Sequence, residues 1–110
     1  MINLIPIAEN YFFYFKNKDI ESLKLLFNDN IKLRDWEIDV NGFKNVVTQN
    51  IKIFENLNKF NLKIINIYQS GNVIFAEIEI ILANNEIINV LDKITFDDES
   101  KIIEIVAFKG

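Results

Sequence analysis

The chain has 110 residues, half of them hydrophobic, a net charge of −4, and neither cysteine nor histidine. That length suits a single domain, residues 1–110, with a real core. The missing cysteines exclude thiol nucleophiles, disulfides and thiolate metal sites. The missing histidines exclude Ser-His-Asp and Cys-His catalysis and leave a transition metal without its commonest ligand. Acid–base chemistry falls to Asp, Glu, Tyr or Lys. No Lys/Arg cluster interrupts the acidic balance, so nucleic acid is not an expected partner. No apolar run approaches the ~20 residues of a membrane span. The opening MINLIPIAENYFFYF carries Glu9 and no early positive charge, which argues against a signal peptide, and the missing cysteines suit a cytoplasmic protein.

Pro6 suits the first turn of a helix. The following IAENYFFYFKN is apolar on most sides and reads as a largely buried first helix. Asp19 is the expected N-cap of a second helix, DIESLKLLF, with Ile20, Leu23 and Phe27 on one stripe. IKLRDW reads as a short strand with Ile31, Leu33 and Asp35 on one face. Asn41-Gly42 opens a third helix, whose apolar positions are Phe43, Val46, Val47, Phe54 and Leu57.

The period then changes to two. FNLKIINIYQ, VIFAEIEIILA, IINVLDKITF and KIIEIVAF are strands joined by short connections, which make antiparallel neighbours. Helices first and a meander after predict an α+β fold: three N-terminal helices packed on the concave face of a curved, cone-shaped antiparallel sheet.

IINVLDKITF poses the functional question, because Asp92 shares a strand face with Ile88, Val90, Ile94 and Phe96. A two-residue turn at Asn84-Asn85 would set Glu77 against Asp92, an unfavourable carboxylate pair. A three-residue connection pairs Asp92 with Ile78 and Glu77 with Lys93, and sorts both strands into consistent faces. Ile74, Ala76, Ile80 and Leu82 then lie on Asp92's face. On the first long strand, Phe60, Leu62, Ile64, Asn66 and Tyr68 are expected inside. The outer face keeps Ile65, Ile67, Phe75, Ile81, Leu91, Val106 and Phe108, more apolar than a face turned only to water. A homodimer through that face is the simplest expectation.

A carboxylate on an apolar face can pair with a buried cation, accept backbone N–H groups, or stay protonated because desolvation raises its pKa. The pattern leaves a neutral donor and a satisfied structural aspartate equally open. Tyr11, on a nearly all-apolar helix, reads by itself as a core tyrosine. Asp35 by itself reads as a loop aspartate capping the next turn.

Taken together, Tyr11, Asp35 and Asp92, on a first helix, a first strand and a penultimate strand, resemble the ketosteroid isomerases of the nuclear-transport-factor-2-like, or SnoaL-like, superfamily. YFFYFKNKDIESLKLLFNDNIKLRDW is similar to that family's opening, Gly42 fits the start of its third helix, and VLDKITFDDESKIIEIVAFKG is similar to its last hairpin. The resemblance implies Asp35 as general base, with Tyr11 and a protonated Asp92 as the oxyanion hole for an enolate. It implies no cofactor and no metal. The expected substrate is a small apolar carbonyl compound in a hydrophobic pocket. Phe15, Trp36 and Phe54 would wall that pocket from the helical half, and Asn66, Ile78, Val90 and Ile105 from the strands. Trp36 stands where the steroid isomerases carry a proline, and its indole would close or reshape the pocket mouth. An epoxide-hydrolase-like site, which needs an Arg and an Asp on one strand face, fits worse, because Arg34 and Asp35 are adjacent. The alternative reading is a non-catalytic small-molecule-binding or dimeric assembly module of the same superfamily.

Overall fold

The computed structural model describes residues 2–110. Pro6 lies in the first turn of α1 (Ile5–Lys16), where a missing N–H loses no helical partner. Asp19 caps α2 (Ile20–Leu26) as expected, accepting from the Ser22 N–H at 3.2 Å and the Ser22 hydroxyl at 2.6 Å. The second helix stops one residue before Phe27, which instead opens β1 (Phe27–Arg34). Phe27 pairs with Ile102 there, so a strand ladder overrides the helical stripe. The strand thus starts earlier than IKLRDW and ends just before Asp35.

A tight turn follows, in which the Asp35 N–H donates to the Ile38 carbonyl at 2.8 Å. It leads into β2 (Asp39–Asn41), a short antiparallel partner of β1 that the sequence pattern does not announce. Gly42 has φ 92, a backbone conformation that favours glycine, and its N–H donates to the Ile31 carbonyl at 2.8 Å. That turn starts α3 (Phe43–Asn56) directly over β1.

The remaining strands are β3 (Phe60–Ser70), β4 (Val73–Leu82), β5 (Ile87–Phe96) and β6 (Ile102–Lys109), an antiparallel meander as expected. The sheet order is β2-β1-β6-β5-β4-β3, with β2 and β3 as free edges, so it does not close into a barrel. One expectation changes: β1 runs parallel to β6, and the sheet is mixed. Short connections fix the direction of consecutive strands only. β1 and β6 are separated by most of the chain, and nothing local dictates their sense.

The register also shifts. Asp92 pairs with Ala76, Val90 with Ile78, Leu91 with Glu77 and Lys93 with Phe75, rather than Asp92 with Ile78 and Lys93 with Glu77. Asn85 takes the left-handed position (φ 68), and the Leu82 N–H already meets the Glu86 carbonyl at 2.9 Å. The loop is therefore Ala83-Asn84-Asn85, one residue earlier than the pattern suggests. The offset changes by two, so every face is preserved.

A bulge between Ile64 and Asn66 does change faces on β3. Asn66 pairs with Glu77 and Tyr68 with Phe75 on the outer side, while Ile67 turns in against the core. The helices cover one face of the sheet. Ala8, Phe12, Leu23 and Val46 form one buried cluster with Ile74, Ile78, Ile94 and Ile105. On the other face Val106 is buried among its neighbours, whereas Tyr68, Leu91 and Phe108 remain exposed. No helix among the described residues is long and apolar enough to cross a membrane.

Candidate active site

Between the helices and the sheet lies a cavity of about 480 Å³, within the usual size of a small-molecule site. Its walls are mostly apolar, and Tyr11, Asp35 and Asp92 all line it. The three side chains come from α1, from the turn after β1 and from β5, so only the tertiary fold unites them.

Asp92 enters the cavity because even positions of β5 face the helices. Its cross-strand neighbours are both alanines, Ala76 on β4 and Ala107 on β6. Two small side chains beside the carboxyl leave room above it. The carboxyl is buried, at 6 % exposure, and Asp92 makes no ion pair among the described residues. Burial, and secondarily the negative charge of Asp35, raise its pKa from 3.8 to about 7. No hydrogen bond among the described residues offsets these effects. No fully buried side-chain N or O among the described residues lacks a partner, so the unbonded Asp92 oxygens reach the cavity surface. Of the three fates open to a carboxylate on an apolar face, pairing and backbone capping are absent among the described residues. The protonated form is favoured up to neutral pH.

Tyr11 is 5 % exposed and packs edge-on against Phe12, with ring centroids 5.1 Å apart. Burial and the neighbouring Asp92 push its hydroxyl well above the ordinary tyrosine range. It therefore remains a donor across the physiological range.

Asp35 caps its own turn. Its Oδ1 accepts from the Glu37 and Ile38 N–H groups, each at 2.7 Å, which is the turn-capping role that its position alone suggests. Its Oδ2 makes no hydrogen bond among the described residues, and Asp35 lines the cavity.

Of the expected walls, Phe15, Trp36, Ile78, Val90 and Ile105 line the cavity. Phe54 does not. It stands behind Phe15 in an edge-on contact, centroids 5.1 Å apart, and supports the wall rather than forming it. Asn66 is excluded by the β3 bulge: it faces outward, and its Nδ2 donates to Glu77 Oε1 at 2.8 Å. Trp36 is half-exposed at the rim, with the Lys109 ammonium 5.7 Å from its ring centroid, a cation–π contact that holds the indole.

Asn50 belongs to the cavity and is missing from the sequence-based set. It is 2 % exposed on α3. The signal was present: Val46, Val47, Asn50 and Phe54 form one helical stripe with an amide at a core position. That is the helical counterpart of the Asp92 pattern.

No protein-family model matches this chain, and no curated protein matches it. Solved structures do match its fold. A candidate isomerase of the SnoaL-like family from Agrobacterium tumefaciens superposes with a TM-score of 0.84 at 12% identity, covering 96% of both chains. A candidate ketosteroid isomerase from Kribbella flavida gives 0.83 at 13% identity, over 96% of this chain and 76% of that one. An LEH-like epoxide hydrolase from M. tuberculosis gives 0.80 at 16% identity, over 97% and 82%. The fold is thus the one that the sequence resemblance implies. Proteins of different described activities share it, so the site itself must carry any statement about chemistry.

Proposed function

We propose that this chain is a cofactor-free enzyme that moves a proton on the carbon next to the carbonyl group of a small, mostly apolar compound. Asp35 is the general base, and Tyr11 with protonated Asp92 holds the enolate oxygen. One observation carries this reading: Tyr11 and Asp92, both buried and without side-chain hydrogen bonds among the described residues, share a mostly apolar cavity with Asp35, whose Oδ2 no bond in its turn occupies. Unpaired donors in a mostly apolar cavity stabilise negative charge as it develops, without reorganising. A carboxylate across the cavity can take the proton whose loss creates that charge. The candidate isomerases of similar fold are consistent with this assignment.

The experiment is deuterium exchange of the α-protons of a panel of enolisable cyclic ketones in heavy water, followed by NMR, alongside binding of β-naphthol, whose phenolic oxygen imitates an enolate. Exchange well above the protein-free rate supports the enzyme. β-Naphthol binding without exchange of any ketone favours the second reading, a non-catalytic small-molecule-binding module. A specific observation speaks for that alternative too, because Asp35 already has a structural task in its turn.

For the outer sheet face we infer a second copy of the chain as partner. Leu91 and Phe108 pair with each other there and are 41% and 48% exposed, flanked by Glu77 on one side and the Lys93–Val106 pair on the other. Apolar centres edged by both signs of charge are self-complementary about a two-fold axis. Sedimentation velocity is expected to show a dimer for the native chain and a monomer for the Leu91→Lys, Phe108→Lys double variant. A monomeric native chain rules this out.

A further inference from the structure

Asn50 is the one buried polar side chain at the cavity that the proposed proton transfer does not use. Its Nδ2 donates to the Val46 carbonyl at 2.9 Å, the only hydrogen bond its side chain makes among the described residues. A carbonyl only accepts, so this contact fixes the amide's orientation: the NH₂ lies along the helix and Oδ1 points away from it. Since no fully buried side-chain N or O among the described residues is orphaned, Oδ1 is open to the cavity. A leucine at this position would continue the stripe of Val46, Val47 and Phe54 without the desolvation penalty of an amide.

The polarity of the cavity is therefore divided. Tyr11 and protonated Asp92 present donors, which call for an acceptor such as a carbonyl oxygen. Asn50 presents an acceptor on a different wall, which calls for a donor. We propose that Asn50 is a substrate-selecting residue whose Oδ1 accepts a hydrogen bond from a hydroxyl group that the substrate carries away from its carbonyl. The substrates are then hydroxyketones rather than simple ketones. This rests on the oxyanion assignment of Tyr11 and Asp92. A site that bonds a substrate hydroxyl discriminates strongly against an analogue lacking it, because the protein acceptor is then buried unpaired.

The test is fluorescence titration of β-naphthol and of naphthalenediols that keep its hydroxyl and add a second on the far ring. The native chain is compared with Asn50→Leu and Asn50→Ala, and each variant is checked for native thermal unfolding. At least one diol is expected to bind the native chain about tenfold tighter than β-naphthol, the worth of one good buried hydrogen bond. Both variants should erase that advantage and bind β-naphthol at least as tightly as the native chain, because no acceptor is then left buried unpaired. If no diol outperforms β-naphthol, Asn50 selects nothing. If the variants weaken β-naphthol and diols equally, Asn50 acts on the Tyr11–Asp92 pair, and the selection role is overturned. The oxyanion assignment fails separately: β-naphthol affinity unchanged in Asp92→Leu would sink it while leaving any Asn50-dependent diol preference standing. Failure of every naphthol to bind overturns both.

Discussion

Asp35→Asn is expected to lower ketone α-proton exchange by about 10²–10⁴-fold, the usual contribution of a positioned general base, with little change in thermal stability. The substitution is unusually clean at this position. Asparagine keeps a side-chain oxygen to accept from the Glu37 and Ile38 N–H groups, so the turn that places residue 35 survives. What is lost is the second oxygen, the one proposed to take the proton. Because the Asp35 charge helps to raise the Asp92 pKa, the same variant should shift Asp92 titration downward, which carboxyl-carbon NMR of labelled aspartate reads directly. β-Naphthol should bind the variant at least as well as the native chain, since a like charge near the bound oxyanion has been removed. Full exchange activity in Asp35→Asn would remove Asp35 as the base. Unchanged Asp92 titration would show that the two carboxyls do not share the cavity as described.

What the sequence makes legible follows from which features are local. That Asp92 faces the core is legible because strand alternation needs no knowledge of the partner, and the actual register differs from the expected one by two residues, which leaves every face intact. Asn66 is misplaced for the opposite reason. The bulge after Ile64 forms only against β4, and one extra residue inverts every position beyond it. The parallel pairing of β1 with β6 is equally non-local, and β2 has three residues, too few to show a period. Asp35 fills the turn-capping role that its position suggests and also lines the cavity, which its local sequence does not reveal. Asn50 was readable from its helical stripe. Amides draw less notice than carboxylates on an apolar face, although both carry a desolvation cost there.

The largest stability effect is expected from Asp92→Asn, and it should depend on pH. In the unfolded chain this carboxyl titrates near its ordinary value of 3.8, and in the folded chain at about 7. Between those values the folded protein holds a proton that the unfolded chain has released, so stability falls as pH rises. The contribution is fully present below the unfolded pKa and gone above the folded one. The difference amounts to something on the order of 4 kcal/mol. Asparagine is close in shape to the protonated acid and cannot ionise. Urea unfolding of the two proteins should therefore nearly coincide at about pH 4 and diverge up to about pH 7, with the variant the more stable, and then run parallel. Ligand binding should follow the same proton: β-naphthol affinity of the native chain should drop as Asp92 ionises and loses its donor, while the variant keeps an N–H donor and a flatter profile. A carboxyl that destabilises the fold at neutral pH, flanked by alanines and without a hydrogen bond among the described residues, is hard to account for as a structural residue. If the two unfolding curves stay parallel from about pH 4 to about pH 8, Asp92 is ionised in the folded protein throughout, and it has no proton to donate to an enolate.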